Sequence, residues 1–147
     1  MRKIIIYIDG GSRGNPGPAA LGVVFCNQKG QPFKKYSEFI GKATNNEAEY
    51  QACIFALKKF KTLFGKKLAK KAEIEIKSDS EFLIKQLKGE YKVLKPEIQK
   101  LFLRLWNLKI DFGRVKFRKI AREKNKEADK LVNELLNKKI KTQQLVL

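Results

Sequence analysis

Four acidic residues lie where predicted strands and helices begin or end. Asp9 ends a run of β-branched residues, and Asp79 directly follows another predicted strand. Glu49 lies in the first turn of a long predicted helix, and Asp129 lies near the start of the last one. If the strands before Asp9 and Asp79 are parallel neighbours, both side chains emerge at the sheet edge where ligand sites form. We therefore expect the four carboxylates to converge.

Carboxylates that converge without counter-charges repel one another strongly. A pair of divalent cations removes this repulsion, and a site made only of oxygen ligands suits Mg²⁺ or Mn²⁺. Two such ions about 3.5–4 Å apart activate water and stabilise the leaving oxygen in phosphodiester hydrolysis. Taken alone, each residue has a simpler interpretation: Asp9 as a turn former, Asp79 as a helix cap, Glu49 as a solvated helix residue, and Asp129 as a carboxylate at the positive start of a helix.

The composition indicates a polyanionic partner. The 147 residues include 33 Lys and Arg against 15 Asp and Glu, a net charge of +18, whereas about 2–8 net charges suffice for solubility. A positive field of this size attracts nucleic acid first and an anionic membrane surface second. A Lys-rich surface of the kind found in thermophiles is the alternative explanation.

Scarce residue types exclude several kinds of chemistry. The chain has no histidine, which excludes imidazole-based catalysis and most zinc sites. Cys26 and Cys53 lie in apolar stretches without metal-ligand spacing, and we interpret them as buried free thiols. No signal peptide is visible, and no segment approaches the ~20 apolar residues of a membrane span. We expect a cytoplasmic protein that does not act on membranes.

Five strands are predicted. Residues 3–9 (KIIIYID) form a β-branched strand buried on both faces, and residues 21–27 and 33–40 follow it after turn sequences. These short connections imply an antiparallel meander. The last two strands are predicted at residues 73–77 and 114–120. Because helices lie between them, we expect these two to pair in parallel.

Four helices complete the pattern. The first covers residues 46–64 and ends before an exposed basic linker at residues 66–71. The others are predicted at residues 78–88, from Pro96 onward, and after Asn125, whose side chain is expected to cap the last helix. The order β-β-β-α-β-α-α-β-α predicts an α/β fold: a mixed five-stranded sheet, three antiparallel strands and then two parallel ones, flanked by helices.

The chain is predicted to form one domain. No repeat, low-complexity tract or Ser/Gly linker divides residues 1–140. Residues 141–147 form an apolar C-terminal tail, which is expected either to fray or to dock on this chain or a partner, with docking slightly favoured.

The four acidic residues belong to motifs that resemble those of type 1 ribonuclease H. DGGSRGNPGP at residues 9–18 resembles the opening motif of the family, and TNNEAEY at residues 44–50 resembles the second. SDS at residues 78–80 resembles the third, and REKNKEAD at residues 122–129 resembles the fourth. The motifs occur in family order over nearly the whole chain, so the resemblance implies a ribonuclease H-like fold.

The resemblance also implies an activity: cleavage of the RNA strand of RNA–DNA hybrids with two metal ions, leaving 5′-phosphate and 3′-hydroxyl ends. The catalytic glutamate of the family falls at Glu49 and not at Glu47. Asp9 would contact both ions, and Glu49 and Asp79 would hold the ion that also positions the RNA. Asp129 would complete the site of the ion that carries the attacking water.

Four polar residues are candidate substrate contacts. Asn15, Asn45 and Asn46 are amides in loops, and each can donate to and accept from the 2′-hydroxyls and base edges of a wide minor groove. The resemblance implies that Thr44 and Asn46 hold a DNA-strand phosphate, and that Asn15 and Asn45 contact the groove. Asn15 also precedes Pro16 in a turn, and Asn45 or Asn46 is an alternative cap for the helix.

The chain departs from the family at two points. Many members carry a histidine in a mobile loop before the last aspartate, and here the neighbouring residues are Arg122, Glu123, Lys124 and Asn125. Some of these four are expected to substitute for it by contacting the scissile phosphate or a metal-bound water. In addition, residues 89–96 are too few for the extra helix and basic loop of some members.

Three other functions fit parts of the pattern. A junction-resolving or transposase-type nuclease acting on DNA would also use clustered acids and Mg²⁺, but the asparagine signatures favour a hybrid substrate. A module that only binds hybrids would gain nothing from four converging carboxylates and would need no Mg²⁺. Membrane-surface binding through the Lys-rich helix fits poorly, because that helix has no continuous basic face.

Overall fold

A computed structural model describes residues 2–146 as a five-stranded sheet with helices packed on it. The strands are β1 (Arg2–Ser12), β2 (Gly17–Cys26), β3 (Pro32–Ala43), β4 (Ala72–Ser78) and β5 (Arg114–Lys119). The helices are α1 (Asn45–Lys71), α2 (Glu81–Leu87), α3 (Pro96–Lys109) and α4 (Lys126–Val146), with a short 3₁₀ helix (Arg122–Lys124) before α4. The predicted order of elements is confirmed.

The sheet is mixed, with the strand order β3-β2-β1-β4-β5. β1, β2 and β3 pair antiparallel because short turns join them, whereas β1 pairs parallel with β4, and β4 with β5. Parallel neighbours require crossover connections, which the helices supply. The predicted division into three antiparallel and two parallel strands is confirmed, and β1 lies at the centre.

The central strand is buried on both faces, as its β-branched run predicts. Ile4, Ile6 and Ile8 contribute to the main core, which also contains apolar residues of α1, α2 and α3. Ile5 contributes to a smaller cluster on the other face, together with Val24 of β2 and residues of α4. The sheet is therefore held between α1 and α4, and the end of β1 is fixed between them.

α1 is longer than predicted. Gly65 leaves the helical conformation (φ 84°, ψ 165°), but the chain then resumes a helical path to Lys71. The predicted linker at residues 66–71 is therefore helical, although its lysines are exposed as expected: Lys66, Lys67, Lys70 and Lys71. The reason is packing: Ala69 is buried, and its carbonyl accepts a hydrogen bond from the amide of Gly113 over 3.0 Å.

α4 continues through the predicted tail to Val146. Its inner face packs on the sheet, with Val132 and Leu136 in a cluster that includes Ala20 of β2. Leu145 and Val146 are 79% and 82% exposed, so these two residues do not dock on the described part of this chain, and docking of the tail on a partner stays a prediction. Residue 147 lies outside the described residues.

Two observations bear on the expectations from composition. Cys26 and Cys53 are both buried and free, which confirms their interpretation as buried free thiols. Within residues 2–146, no helix combines the length and the apolar character needed to cross a membrane.

Candidate active site

The parallel pairing of β1 with β4 places Asp9 beside Asp79. Tyr7 and Lys77 form the last paired row of the two strands, and each aspartate lies two residues beyond that row. The two carboxylates therefore reach the same edge of the sheet, as the sequence predicts. This is the edge formed by the carboxyl ends of the parallel strands.

Gly10 lets α1 approach this edge at backbone distance. A Cβ atom at Gly10 would lie 2.3 Å from the carbonyl carbon of Ala48 and 2.5 Å from the amide nitrogen of Glu49. No side chain fits there, because the neighbouring atoms belong to the helix backbone and cannot rotate away. The first turns of α1 therefore pack directly on β1, and Glu49 is brought next to Asp9.

Gly22 lets α4 approach the sheet at backbone distance. It pairs with Asp9 across the β1–β2 ladder, and a Cβ atom on it would lie 2.6 Å from the carbonyl oxygen of Ala128. The start of α4 therefore packs against β2 directly opposite Asp9. Because Asp129 follows Ala128, this contact brings the fourth carboxylate to the same edge.

All four carboxylates line one cleft of about 310 Å³. Asp9, Glu49, Asp79 and Asp129 are each only partly buried, so the cleft is open to solvent. The polar groups that complete its wall are Ser12, Arg13, Asn45, Arg122 and Asn133. The residues predicted to converge are therefore together in space.

The cleft has the donor chemistry of a divalent-cation site. Its acidic ligands offer only oxygen atoms, and Oε2 of Glu49 is buried without a hydrogen-bond partner. In the conformation described for residues 2–146, no three acidic, Cys or His side chains are already arranged as ligands of one ion. The residues fit such ions by type.

The electrostatics of the cleft oppose simultaneous ionisation of the four carboxylates. Burial, as the largest cause, together with the charges of Asp79, Asp129 and Glu49 raises the pKa of Asp9 from 3.8 to about 8. Burial also raises the pKa of Glu49 from 4.5 to about 7, with a contribution from Asp79 against that of the Ser80 side chain. Bound cations would favour the ionised forms.

The start of α1 is capped by Thr44 and not by Asn45 or Asn46. The Thr44 hydroxyl accepts a hydrogen bond from the amide of Glu47 over 3.1 Å, and the Glu47 carboxylate accepts one from the amide of Thr44 over 3.0 Å. This reciprocal pair is a capping box. It gives Glu47 a structural role, whereas Glu49 lines the cleft, in agreement with the sequence assignment.

Asp79 is likewise free of a capping role. The N-cap of α2 is Ser80, whose hydroxyl accepts from the amide of Leu83 over 3.2 Å. The interpretation of Asp79 as a helix cap is therefore wrong. Asp129 lies in the first turn of α4, where a carboxylate also interacts favourably with the positive helix start.

The asparagines of the candidate substrate surface form a connected group. The amide of Asn45 donates to Oδ1 of Asn15 over 2.9 Å, and Oδ1 of Asn45 accepts from the amide of Ser12 over 2.9 Å. These bonds tie the β1–β2 turn to the start of α1 and leave the NH₂ group of each side chain to serve a ligand. Asn46 is partly buried in the same turn of α1.

Comparisons with known proteins identify the family. The family model described as "Reverse transcriptase-like" matches residues 7–135. The solved structure of LC11-RNase H1 in complex with an RNA/DNA hybrid has a TM-score of 0.88 and 44% sequence identity, over 93% of this chain and 99% of that chain. This chain belongs to the type 1 ribonuclease H family.

Two curated relatives match over the same region. Ribonuclease HI of Halobacterium salinarum is 37% identical over 135 residues, and the bifunctional protein Rv2228c of Mycobacterium tuberculosis is 35% identical over 136 residues. Each match covers 92% of this chain. The chain spans 65% of the first relative and 36% of the second.

The four residues in the place of the family's usual histidine are separated by the fold. Arg122 lines the cleft, whereas Glu123 and Lys124 line a different groove of about 280 Å³. Asn125 is buried and donates from Nδ2 to Oδ1 of Asp79 over 2.7 Å. The fold therefore brings two of the four, Arg122 and Asn125, to the carboxylates.

Sequence reasoning missed several residues that shape this ribonuclease H site. Gly10 lies next to Asp9 in the sequence, but its contact with α1 depends on the angle at which the helix packs on the sheet. The sequence does not show this angle. Gly22 carries no local signal, because its importance follows from pairing with Asp9. Arg13 and Asn133 both line the cleft and are joined by a 3.2 Å hydrogen bond from the guanidinium to Oδ1; their meeting depends on how α4 crosses the sheet.

The short connection predicted for this family member is present, because residues 88–95 join α2 to α3 without a helix. A cavity of about 450 Å³ beside it is lined by Phe82, Tyr91, Leu94 and neighbouring residues. This cavity is larger than the acidic cleft, but its lining contains one carboxylate, Glu90. The acidic cleft therefore remains the candidate active site.

Proposed function

We propose that the chain hydrolyses the RNA strand of RNA–DNA hybrids by two-metal-ion catalysis and leaves 5′-phosphate and 3′-hydroxyl ends. The observation that carries this proposal is the convergence of four carboxylates on one cleft in a chain of net charge +18. A basic surface attracts a polyanion, but a carboxylate cluster repels it. Divalent cations bound between the carboxylates and the polyanion would remove this repulsion.

The proposed ligands of these cations, Mg²⁺ or Mn²⁺, are Asp9, Glu49, Asp79 and Asp129. Two ions, when bound, activate water and stabilise the leaving oxygen. Asp9 is assigned to both ions, as the family resemblance implies, and it lies at the end of β1 in the cleft that all four carboxylates line. Glu49 and Asp79 are assigned to one ion and Asp129 to the other. The unpaired Oε2 of Glu49 supports this assignment.

Recognition of the hybrid is assigned to four residues at the rim of the cleft. The NH₂ groups of Asn15 and Asn45 are free to donate to 2′-hydroxyls or base edges in the minor groove. Thr44 accepts a hydrogen bond within the capping box, so its own hydroxyl proton remains available for a DNA-strand phosphate, together with Asn46. LC11-RNase H1 was solved with an RNA/DNA hybrid, and we extend this substrate to the present chain.

Two broader features belong to the same proposal. Residues 1–140 are taken as one catalytic domain, and the helix that ends at Val146 is taken as its C-terminal extension. The cytoplasm is proposed as the compartment because its reducing conditions suit the two free thiols, Cys26 and Cys53.

Cleavage of an end-labelled RNA–DNA hybrid with Mg²⁺ or Mn²⁺ tests the proposal. Wild-type protein is expected to cut the RNA strand only when a divalent ion is present, and Asp79→Asn is expected to lose this activity. Glu97→Gln is the control, since Glu97 is an exposed carboxylate at the start of α3. It should cut like the wild type.

Two further substrates sharpen this experiment. A DNA duplex and an RNA duplex of the same sequence should be cut far more slowly than the hybrid. Preferential cutting of the DNA duplex would favour a DNA nuclease instead. Tight binding of the hybrid without cleavage under either ion would make the enzyme assignment wrong.

A further inference from the structure

Asn125 makes an unusual set of contacts behind the cleft. Its side chain is almost completely buried, with 1% of the residue exposed. Nδ2 donates both to Oδ1 of Asp79 over 2.7 Å and to the backbone oxygen of Ile8 over 2.8 Å. Ile8 precedes Asp9 on β1. The amide group of Asn125 therefore bonds to the carboxylate of Asp79 and to the backbone next to Asp9.

The position of Asn125 at the start of α4 makes these contacts more informative. Its backbone carbonyl accepts from the amide of Asp129 over 3.1 Å, which is the first helical hydrogen bond of α4. Asparagine is favoured at such a position because its side-chain oxygen accepts from the helix backbone. Here Oδ1 of Asn125 is buried and accepts no hydrogen bond, so the predicted side-chain cap is wrong.

This arrangement lowers the stability of the fold in two ways. The side chain gives up the capping hydrogen bond, and it leaves a polar oxygen buried without a partner. The orientation of the amide follows from its neighbours, because a flipped side chain would point Oδ1 at two acceptors, Asp79 Oδ1 and the Ile8 carbonyl. Because this orientation of the Asn125 side chain lowers stability, we expect the side chain to serve the site and not the fold.

We propose that Asn125 is a positioning residue for the metal-binding carboxylates, an inference that rests on the proposed function. Its NH₂ group holds one oxygen of Asp79 and leaves the other for an ion. Its backbone and side chain together fix the start of α4, which carries Asp129, against β1 next to Asp9. Three of the four carboxylates therefore depend on this one side chain for their relative placement.

This role differs from the one expected from the sequence. A buried side chain that already donates to two protein acceptors does not reach the scissile phosphate or a metal-bound water. It acts through Asp79, as outer-shell hydrogen-bond partners of metal ligands do. Loss of such a partner typically weakens metal affinity or activity by about 10–100-fold.

Affinity for Mn²⁺ alone, measured by calorimetry without nucleic acid, tests the inference independently of cleavage. Asn125→Leu keeps the shape of the side chain and removes its donors, and Asn125→Ala removes both. Both variants are expected to bind Mn²⁺ about 10–100-fold more weakly than the wild type. Asn137→Ala is the matched control, because Asn137 is an exposed asparagine on the same helix, and it should bind like the wild type.

Thermal unfolding of the same variants separates positioning from a structural role. Asn125→Leu is expected to remain folded at the temperature of the titration, so its weaker Mn²⁺ binding would reflect the lost donor. Wild-type affinity in a folded Asn125→Leu variant would overturn the inference. Failure of both Asn125 variants to fold would also overturn it, since the residue would then be structural.

The outcomes distinguish this inference from the function on which it rests. If the wild type binds Mn²⁺ in an Asp79-dependent way but cuts no hybrid, the proposed activity fails, whereas the positioning role still stands or falls on the Mn²⁺ titration. If the wild type cuts the hybrid and the Asn125 variants bind Mn²⁺ equally well, only the positioning role fails. Absence of Mn²⁺ binding to the wild type would overturn both.

Discussion

Gly22 and Ala128 approach so closely that a Cβ atom on Gly22 would lie 2.6 Å from the carbonyl oxygen of Ala128. The contact joins β2 to the start of α4, one residue before Asp129, and Gly22 itself pairs with Asp9. The distance between the carboxylates of Asp9 and Asp129 therefore depends on the absence of a side chain at residue 22.

Gly22→Ala should push α4 away from the sheet and displace Asp129. Overpacking of this kind costs about 1–3 kcal/mol of stability, and a 1 Å displacement at a catalytic group can cost about 100-fold in rate. We expect folded protein with hybrid cleavage reduced by one to two orders of magnitude. Denaturant unfolding and cleavage rates on the same preparation measure both effects.

Gly30→Ala is the control for this substitution. Gly30 lies in the β2–β3 turn with φ 81° and open space around it, so alanine would cost about 1 kcal/mol through backbone strain alone. It should lower stability without slowing cleavage at temperatures where the protein is folded. Equal slowing by both variants would show that cleavage follows stability and not the α4 contact.

Much of this architecture could be predicted because it follows from local pattern. The β-branched run before Asp9 and the helices around β4 determined the mixed sheet, and the sheet in turn placed Asp9 next to Asp79. What could not be predicted depends on contacts between distant elements. The helical path resumes after Gly65 because Ala69 packs against the segment before β5, and nothing within residues 66–71 indicates that partner.

The details of the site also divide into features that follow from local sequence pattern and features that depend on contacts between distant elements. Thr44 and Glu47 form a capping box that is visible as a sequence pattern, yet both asparagines beside it were equally plausible caps until the hydrogen bonds were known. Asn125 has the residue type of a helix cap, but its side chain turns to Asp79 instead. Here the contact with Asp79, 46 residues away in the sequence, outweighs the local preference of asparagine for capping a helix.

The pKa of Asp9 predicts how the metal-free protein responds to pH. Its value is about 8 in the folded chain, against 3.8 without the influence of the fold. Well below pH 3.8 the carboxyl is protonated in both states and contributes nothing. As pH rises toward 8, the unfolded chain ionises first, so the free energy of unfolding should fall across this range and stay reduced above it.

Asp9→Asn should therefore be more stable than the wild type at pH 8 in the presence of a chelator, although it should lose cleavage. Its stability should also vary less between pH 4 and pH 8. Thermal unfolding at several pH values measures this. Asp111→Asn is the control of opposite sign, because Lys61 lowers the pKa of Asp111; it should bring no gain at pH 8. A less stable Asp9→Asn variant at pH 8 would contradict the electrostatic account of the cleft.

Glu47 and Glu49 should respond oppositely to the same substitution. Glu47→Ala removes one arm of the capping box and should cost about 0.5–2 kcal/mol of stability while cleavage is retained. Glu49→Ala removes a carboxylate from the cleft and should abolish metal-dependent cleavage without a comparable loss of stability. Unfolding curves and hybrid cleavage of the two variants test this pair. Loss of cleavage in Glu47→Ala at full folding would move the catalytic glutamate to position 47.

Arg122 and Lys124 provide a test of the region where many family members carry a histidine. Both belong to the short 3₁₀ helix, but Arg122 lines the cleft, whereas Lys124 lines the separate groove of about 280 Å³. Both are exposed cations, so an alanine at either position removes one positive charge. A general effect of charge on nucleic-acid affinity would therefore weaken hybrid binding equally in the two variants.

We expect instead that Arg122→Ala lowers kcat for hybrid cleavage by about tenfold or more, because a guanidinium beside the carboxylates can contact a phosphate as its charge develops. Lys124→Ala should leave kcat unchanged and affect only KM, more at low salt than at high salt. Steady-state kinetics at two salt concentrations separate these outcomes. Equal kcat in both variants would remove Arg122 from the chemical step and leave Glu123 as the remaining exposed candidate of this segment to replace the histidine.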